Sequence, residues 1–199
     1  MRFLHVAGAA VLVLFAVTAV QAAPITFFGE DLNTGETTRP SSTPNADAAN
    51  AAFLAALTGV GTEDFESYSD GTGLPLAISF AGSSGSITAT LSGTGEIMDL
   101  PGTGTFAGRY PISGTKYLAQ VNAGSSTDAL TITFNTPVAA FGFYGTDFGD
   151  FNGVTELKLT NGSTETVSIG NSTNIPGGAA LFFGVIDTTH TFDKIIFRN

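Results

Sequence analysis

The chain has 199 residues, with 17 carboxylates against 7 cations, a formal net charge of −10 and no cysteine. Strong acidity disfavours nucleic acid and anionic membranes as partners, and a chain without cysteine has no disulfides to stabilise it. The length suits one domain that buries its own apolar core.

The amino terminus has the features of a secretory signal peptide. Arg2 precedes a mainly apolar run over residues 6–20, and Val20-Gln21-Ala22 follows the small-x-small pattern of a cleavage site. The run is shorter than the roughly 20 residues that span a bilayer. We therefore predict a signal peptide over residues 1–22, and a secreted or cell-surface protein that has no membrane span after its removal.

Residues 23–61 are predicted to form a strand, a loop and the one helix of the chain. The run from Ile25 to Phe28 is apolar, whereas residues 29–42 are polar and contain turn formers. Thr43 is suited to cap a helix that has Pro44 at its first position. Apolar side chains then recur at helical spacing until glycines end the run, at Ala49, Phe53, Leu57 and Val60.

From residue 62 onward the apolar positions recur every second residue, which is the spacing of half-buried strands. Leu130, Ile132 and Phe134 alternate with threonines, and Asn161-Gly162 between two further runs predicts a tight hairpin. The other predicted strands are Asp64 to Tyr68, Leu76 to Phe80, Ile87 to Leu91, Lys116 to Val121, Val138 to Tyr144, Leu157 to Leu159, Val167 to Ile169, Leu181 to Ile186 and Lys194 to Phe197.

About ten short strands separated by turn formers favour a sandwich over a parallel α/β fold. We therefore predict an all-β fold, an antiparallel jelly-roll-like β-sandwich with one short amino-terminal helix. It is expected to be a single domain over residues 23–199, in which residues 23–61 supply the first strand, the loop and the helix.

Catalytic groups are sparse in the sequence. His190 is the only histidine outside the signal peptide, and no serine lies in a Gly-x-Ser-x-Gly elbow. Residues 102–107 match the spacing of a dinucleotide fingerprint, but Pro111 follows too soon for the helix that such a site requires. We therefore expect no enzymatic activity. The alternative is a glycoside hydrolase that uses carboxylates such as Asp64 and Glu66.

Acidic loops are the candidate metal ligands, because calcium prefers six to eight carboxylate, amide and backbone oxygens. We take Asp147, Asp150 and Asn152 as the candidate site of a structural Ca²⁺, since they follow a predicted strand closely. The alternative is that these residues are solvated turn formers. Two further groups have similar composition, namely Glu30-Asp31-Leu32-Asn33 and the pair Asp187 and Asp193.

Two short segments place a cation beside an aromatic ring. Arg109-Tyr110 precedes Pro111, and Lys116-Tyr117 follows a glycine. Tyrosine is amphipathic, so it can stack on a sugar while its hydroxyl remains wet. Arg109, Tyr110 and Tyr117 are therefore the predicted ligand-binding residues for a glycan or an acidic polymer. Packing in the core or against a sheet is the alternative.

Five segments in sequence order carry a family resemblance. They are residues 27–33, the Ala-rich helix through Phe53 and Leu57, and residues 59–66, 137–144 and 182–186. In this order they resemble the exported proteins grouped as PEP-CTERM sorting-domain proteins, over nearly the whole mature chain. The resemblance implies export by Gram-negative, often exopolysaccharide-producing bacteria and a β-sandwich similar to carbohydrate-binding modules. It implies no enzymatic mechanism.

The end of the sequence departs from that family. Family members end in Pro-Glu-Pro, a transmembrane stretch and a basic cluster, whereas this sequence ends in Ile195-Ile196-Phe197-Arg198-Asn199. Either the tail has been lost or omitted, or the protein is released freely.

The leading hypothesis is a non-enzymatic module that contacts extracellular polysaccharide or matrix. The alternative is a structural envelope or matrix protein that binds other proteins.

Overall fold

Eleven strands and one helix form in the residues that the computed structural model describes, which are 22–32, 35, 39–82, 85–99, 108–120, 130–148, 154–174 and 179–198. Paired strands are antiparallel, and the sheets stack in sandwich-like layers. The predicted all-β fold with one helix is therefore confirmed. The elements are β1 Ile25–Asp31, α1 Pro44–Ala55, β2 Leu76–Gly82, β3 Gly85–Gly93, β4 Gly95–Met98, β5 Tyr117–Gln120, β6 Leu130–Val138, β7 Ala140–Thr146, β8 Val154–Leu159, β9 Thr164–Ser168, β10 Ala180–Ile186 and β11 Phe192–Arg198.

The predicted signal peptide lies outside the described residues, apart from Ala22. Its removal and the export of the chain therefore stay predictions. Within the described ranges, no helix is long and apolar enough to cross a membrane.

One long antiparallel ribbon connects the two main sheets. β6 continues into β7 through Ala139, and β11 follows β10 after a corner at residues 187–191. β6 pairs with β11 in the larger sheet, whereas β7 pairs with β10 in the smaller sheet. The ribbon therefore bends from one sheet into the other, and this rolled arrangement is the jelly-roll-like feature of the sandwich.

The two main sheets differ in width. The larger sheet has six strands in the order β2-β3-β6-β11-β8-β9, the smaller has three in the order β1-β10-β7, and β4 pairs with β5 separately. Strands lie about 4.8 Å apart, so three strands cover only part of a six-stranded face. The shared core between the layers contains Leu76, Ile78, Ala89, Leu91, Ile97, Ile132, Phe134, Leu157, Ile169, Leu181, Phe183, Val185, Phe192 and Ile195.

β10 lies at the centre of the smaller sheet and is buried at every residue. Leu181, Phe183 and Val185 belong to the core shared with the larger sheet, whereas Phe182 and Ile186 belong to a second apolar cluster beside α1. Because both of its faces are covered, the strand is a continuous apolar run and not an alternating one. The smaller sheet is therefore the middle of three layers.

α1 packs on the outer face of the smaller sheet through Phe53. The centroid of the Phe53 ring lies 5.6 Å from that of Phe27 on β1 and 5.5 Å from that of Phe182 on β10. Gly184 permits this approach, because a Cβ at that position would lie 2.7 Å from a ring carbon of Phe53. A larger residue at position 184 would therefore push the helix away from the sheet.

The start of α1 agrees with the prediction in position but not in its capping contact. Pro44 is the first residue and Thr43 is the N-cap residue, but the Thr43 side chain makes no capping hydrogen bond. Asp31, at the end of β1, instead accepts hydrogen bonds from the backbone N–H groups of Asn45 and Ala46 at 3.1 and 2.9 Å. A carboxylate there satisfies free N–H groups and stabilises the positive end of the helix dipole.

Several elements differ from the predictions. α1 ends at Ala55, so Leu57 and Val60 lie beyond the helix. β1 extends to Asp31, into the predicted loop, because the strand pairs with β10 over its full length. β4 was not predicted, because its four residues are too few to show a period. The ends of these elements therefore depend on pairing with distant strands, which the local sequence pattern does not show.

The predicted strand from Asp64 to Tyr68 is wrong, because these residues form a turn. Glu63 and Asp64 accept hydrogen bonds from the backbone N–H groups two residues later, on Phe65 and Glu66, at 2.6 and 3.1 Å. Such local bonds give the backbone an alternative to strand pairing. Phe65 also has a φ of 64°, which a strand does not allow.

The predicted hairpin at Asn161-Gly162 is confirmed, although its loop is longer than two residues. Lys158 of β8 pairs with Thr164 of β9, so five residues separate the paired positions. Only Gly162 of the two central residues has a positive φ, at 88°. Asn161 uses its side chain to accept a hydrogen bond from the backbone N–H of Ser163 at 2.9 Å.

The corner between β10 and β11 is built around the carboxylate of Asp187, which is only 2% exposed. Its Oδ1 accepts hydrogen bonds from the backbone N–H groups of Thr189 and His190 and from the Thr189 hydroxyl, at 2.8 to 2.9 Å. Burial alone would raise the pKa of Asp187, but these hydrogen bonds outweigh it and hold the pKa below its ordinary value of 3.8. The ionised carboxylate therefore stabilises the bend.

We expect Asp187→Ala to lower the free energy of unfolding by about 1 to 3 kcal/mol at neutral pH, since it removes a charged acceptor of three hydrogen bonds in the corner. Because the folded pKa is lowered, the contribution of Asp187 is complete above its unfolded pKa and is lost as the pH falls through the folded pKa. Urea unfolding of both proteins at neutral pH and at about pH 2 to 3 measures this. A stability difference that does not shrink in acid contradicts the assignment.

We also expect Asp31→Ala to destabilise the protein by about 1 kcal/mol, because α1 loses its cap, with a fall in Tm of roughly 2 to 4 °C. The matched control is Asp193→Ala, which removes an exposed carboxylate on β11. Thermal unfolding followed by circular dichroism compares the two variants. Equal Tm values for the two would show that Asp31 does not stabilise the helix.

Candidate functional site

A cavity of about 1000 Å³ lies along the outer edge of β7. The whole of Ala140–Thr146 lines it, together with side chains from the larger sheet and from α1. β7 is the last strand of the smaller sheet, and no strand within the described residues pairs with its outer edge. We call this cavity the β7 cleft.

The first wall of the β7 cleft is the inner face of the larger sheet. On β7, Phe143 lies 5.0 Å from Phe197 of β11, and Phe141 lies 6.4 Å from Phe134 of β6, between ring centroids. β7 therefore stacks over β6 and β11. On β2 and β3, the inner side chains Ile78, Ala89 and Leu91 are buried in the same core as Ile97 of β4. The apolar side chains of this wall are Ile78, Phe80, Ile87, Ala89, Leu91, Ile132 and Phe134.

The second wall is the end of α1 with the segment 58–65 that follows it. Leu54 and Val60, both in this wall, are 36% and 42% exposed, high values for large apolar side chains. Tyr144 joins the wall to β7 by donating a hydrogen bond from its hydroxyl to Asp47 at 2.9 Å. Burial and this bond raise the pKa of Tyr144 to about 12, so the hydroxyl remains a donor at neutral pH.

Polar side chains at the rim of the cleft include residues from two separate sequence predictions. Arg109, a predicted ligand-binding residue, donates from Nε to Asp147, a predicted calcium ligand, at 3.0 Å. Its Nη1 donates to the backbone carbonyl of Gln120 at 2.9 Å. Both charged side chains are 22% exposed, so the pair is partly shielded from water. The structure thereby brings Arg109 and Asp147 into one site.

The two predicted ligand-binding tyrosines have different environments. Tyr110 is only 4% exposed, so its ring packs in the interior, as the alternative in the sequence analysis held. Tyr117 lines the β7 cleft and is half-buried, with its hydroxyl 4.0 Å from the sulfur of Met98. Burial raises the pKa of Tyr117, partly offset by nearby Arg109, so the neutral hydroxyl is retained. Tyr110 and Tyr117 both line the cleft, and Tyr117 is the more exposed of the two.

Glu66, a candidate hydrolase carboxylate, anchors the loop that carries Lys116. Its Oε1 accepts hydrogen bonds from the backbone N–H groups of Thr115 and Lys116, both at 2.7 Å, and its Oε2 accepts from the Thr115 hydroxyl at 2.9 Å. These bonds lower the pKa of Glu66 below its ordinary value of 4.5. The Lys116 ammonium donates to the backbone carbonyl of Tyr68.

The predicted calcium site is described only in part. Asp150 and Asn152 lie outside the described residues, and Asp147 is engaged by Arg109. Within the ranges that the structure describes, no three His, Asp or Glu side chains are placed to hold a metal ion. Calcium at Asp147, Asp150 and Asn152 therefore stays a prediction.

Three other acidic residues considered as calcium ligands have structural contacts. Glu30 accepts hydrogen bonds from the backbone N–H of Ser172 at 3.1 Å, Asp31 caps α1, and Asp187 holds the corner before β11. His190 lies in that same corner, with Nδ1 3.4 Å from Asp187. Each of these carboxylates accepts hydrogen bonds from backbone N–H groups, the role that turn-forming acidic residues commonly have.

Sequence reasoning missed the β7 cleft. The alternation of Phe141 and Phe143 with smaller residues predicts a strand, but whether a strand lies at a sheet edge depends on strand order, which is not a local property. A weak signal was available in Gly142 and Gly145, because glycines within a strand often mark a close approach. Here a Cβ at Gly145 would lie 2.5 Å from the Phe148 ring.

Comparison of the chain with protein-family models, with curated proteins and with solved structures found no match. The resemblance to PEP-CTERM sorting-domain proteins rests on the sequence motifs alone and stays a prediction.

We expect the carboxyl of Glu66 to titrate below pH 4.5, because two backbone N–H groups stabilise its ionised form. Thr115→Val removes the hydroxyl donor while keeping the side-chain shape, so it should raise that midpoint towards the ordinary value. Carbon-detected NMR titration of the glutamate carboxyls measures both. A wild-type midpoint above 4.5 would mean that these hydrogen bonds do not form in solution.

Proposed function

We propose that this protein is a non-enzymatic extracellular binding module that contacts polysaccharide at the rim of the β7 cleft. The observation that carries the proposal is the placement of the half-buried Tyr117 ring at a cleft that Arg109, Asp147 and Gln120 also line. Ligand sites combine apolar or aromatic surface with a few fixed polar groups. A sugar offers an apolar ring face for Tyr117 and hydroxyls for the polar groups.

The rim is held in place before any ligand arrives. Arg109 is bonded at two points, to Asp147 and to the Gln120 carbonyl, and Lys116 is held by the Tyr68 carbonyl. Ordering flexible side chains on binding costs free energy, so groups that are already fixed favour affinity. The −10 net charge further supports a neutral ligand over a strongly anionic one.

The environments of the candidate catalytic groups also support a binding role. A glycoside hydrolase needs one carboxylic acid whose pKa is raised, so that it can protonate the leaving group. The pKa of Glu66 is instead lowered, and Asp64 accepts the backbone N–H of Glu66. The remaining candidate, His190, hydrogen-bonds through Nδ1 to the Thr189 hydroxyl at 2.7 Å, within the β10–β11 corner.

The second candidate function is that of a structural matrix or envelope protein that binds other proteins. Among the described strands, none pairs with the outer edge of β7, and this favours it, because such an edge offers backbone groups to another chain. The two functions use different parts of the cleft. Polysaccharide would contact the polar rim, whereas a protein segment would contact the strand edge and the apolar walls.

For the polysaccharide proposal, we expect Tyr117→Ala to weaken binding about tenfold, the loss of one aromatic contact worth roughly 1.4 kcal/mol. The control is Phe28→Ala on β1, at the opposite edge of the smaller sheet, where the ring is 40% exposed. Binding is measured on a glycan array and by co-sedimentation with exopolysaccharide of the producing organism. Absence of wild-type binding in both assays, or equal loss in the two variants, contradicts the proposal.

A further inference from the structure

The hairpin loop between β8 and β9 folds the side chain of Asn161 back over the peptide that follows it. Asn161 Oδ1 accepts hydrogen bonds from the Ser163 backbone N–H at 2.9 Å and from the Ser163 hydroxyl at 2.5 Å. The backbone bond closes an Asx-turn, a ring that contains both the Cγ atom of Asn161 and the backbone nitrogen of Gly162. These two atoms are therefore held within one tight turn.

The two atoms can react with each other, and asparagine is chemically labile for this reason. When the Gly162 nitrogen attacks Cγ of Asn161, a C–N bond forms and closes a succinimide ring. The proton of that nitrogen passes through solvent to Nδ2, which leaves as ammonia. Water then adds to either carbonyl of the ring and opens it to aspartate or isoaspartate. The chain thus takes up water and releases ammonia, with no oxidation or reduction.

The hydrogen bonds at Oδ1 of Asn161 favour this attack. Cγ becomes a tetrahedral centre with negative charge on Oδ1, and Ser163 already directs two donors at that oxygen. Fixed donors at a developing oxyanion stabilise the tetrahedral intermediates of acyl transfer. Ser163 therefore supplies, within the loop itself, the donors of a small oxyanion hole.

The attacking and leaving nitrogens are both accessible. Gly162 has no side chain to hinder the approach, and neither its N–H nor Asn161 Nδ2 makes a hydrogen bond among the contacts of the described residues. Asn161, Gly162 and Ser163 are exposed, so water can accept the proton and hydrolyse the succinimide. The loop also lies outside the β8–β9 pairing, which ends at Lys158 and Thr164, so attack breaks no bond of the described ladder.

Asn171 provides a contrast within the same chain. It also precedes a small residue, Ser172, but its side chain is only 6% exposed and its Nδ2 donates to the Phe148 carbonyl at 2.6 Å. The leaving group is therefore held in place, because a buried hydrogen bond must break before ammonia departs. The structure thus distinguishes a reactive asparagine at position 161 from a protected one at position 171.

We propose that Asn161 is a site of spontaneous modification, at which the folded hairpin forms a succinimide with Gly162 and converts to aspartate and isoaspartate, with Ser163 as the oxyanion donor. The conversion adds a negative charge to the loop, and the isoaspartyl product also adds a carbon atom to its backbone. This inference does not rest on polysaccharide binding, since none of the three residues lines the β7 cleft.

The test is peptide mapping of the full-length protein after incubation at neutral pH and physiological temperature. Trypsin releases residues 159–194 as one peptide, which contains Asn161 and Asn171, whereas Asn152, before the other Asn-linked glycine, falls in the preceding peptide. Electron-transfer fragmentation distinguishes aspartate from isoaspartate at each position. We expect both products at Asn161, and conversion at least tenfold slower at Asn171, where a buried hydrogen bond holds the amide.

Two results of the mapping would overturn the proposal. Aspartate without isoaspartate at Asn161 would mean that water hydrolyses the side-chain amide directly, because a succinimide opens to both products. Conversion of Asn171 as fast as Asn161 would mean that the contacts of the two amides do not control their reactivity.

The hydroxyl donor is tested with Ser163→Ala, which keeps the backbone N–H that closes the turn. We expect this variant to slow the conversion of Asn161 about fivefold, the rate equivalent of one hydrogen bond worth about 1 kcal/mol. The matched control is Ser168→Ala, which changes an exposed serine on β9 of the same hairpin and should convert as the wild type does. Circular dichroism confirms that both variants are folded. An unchanged or faster rate in Ser163→Ala, or an equal fall in both variants, would contradict the role of Ser163.

Unfolding in urea separates the effect of the fold from that of the Asn-Gly dipeptide. In the unfolded chain, Asn171 loses its buried hydrogen bond and should convert at least tenfold faster than in the folded protein, whereas Asn161 loses its turn and should gain less. Ser163→Ala should then match the wild type, because the hydroxyl is no longer held at Oδ1. If urea accelerates Asn161 as much as Asn171, the folded loop protects Asn161 and the proposal is wrong.

Discussion

The segment Leu181–Ile186 has apolar side chains on both faces of a strand, and water must be excluded from both. The larger sheet covers one face through the core around Phe183, and α1 covers the other through Phe53. This requirement places the smaller sheet between two other layers. It also accounts for the central position of β10, which pairs with β1 on one side and β7 on the other.

Acidic side chains in this protein stabilise the loops and turns that connect helices and strands. Asp31 connects the end of β1 to the start of α1, Asp187 holds the turn between β10 and β11, and Glu66 anchors the loop before β5. Each accepts hydrogen bonds from backbone N–H groups that have no partner within a helix or strand. A chain without cysteine has no disulfides for such corners, and charged hydrogen bonds of this kind are among the stronger polar contacts available.

The difference in width between the sheets connects the fold to function. With β10 central, β7 stacks over β6 and β11, while the inner side chains of β2 and β3 are buried in a core that also contains Ile97 of β4. The β7 cleft has apolar walls and a polar rim around Arg109 and Tyr117.

The sequence by itself determined the period-two pattern of Leu130 to Phe134, the hairpin at Asn161-Gly162, the helix start at Pro44 and hence the all-β fold with one helix, because each depends on neighbours along the chain. The tertiary structure alone decided that Asp31 caps the helix, that Tyr110 is buried while Tyr117 faces a cleft, and that Arg109 meets Asp147. It also decided that β7 is the last strand of the smaller sheet within the described residues. These features depend on which distant strands pair and in what order, and side-chain period carries no information about that order.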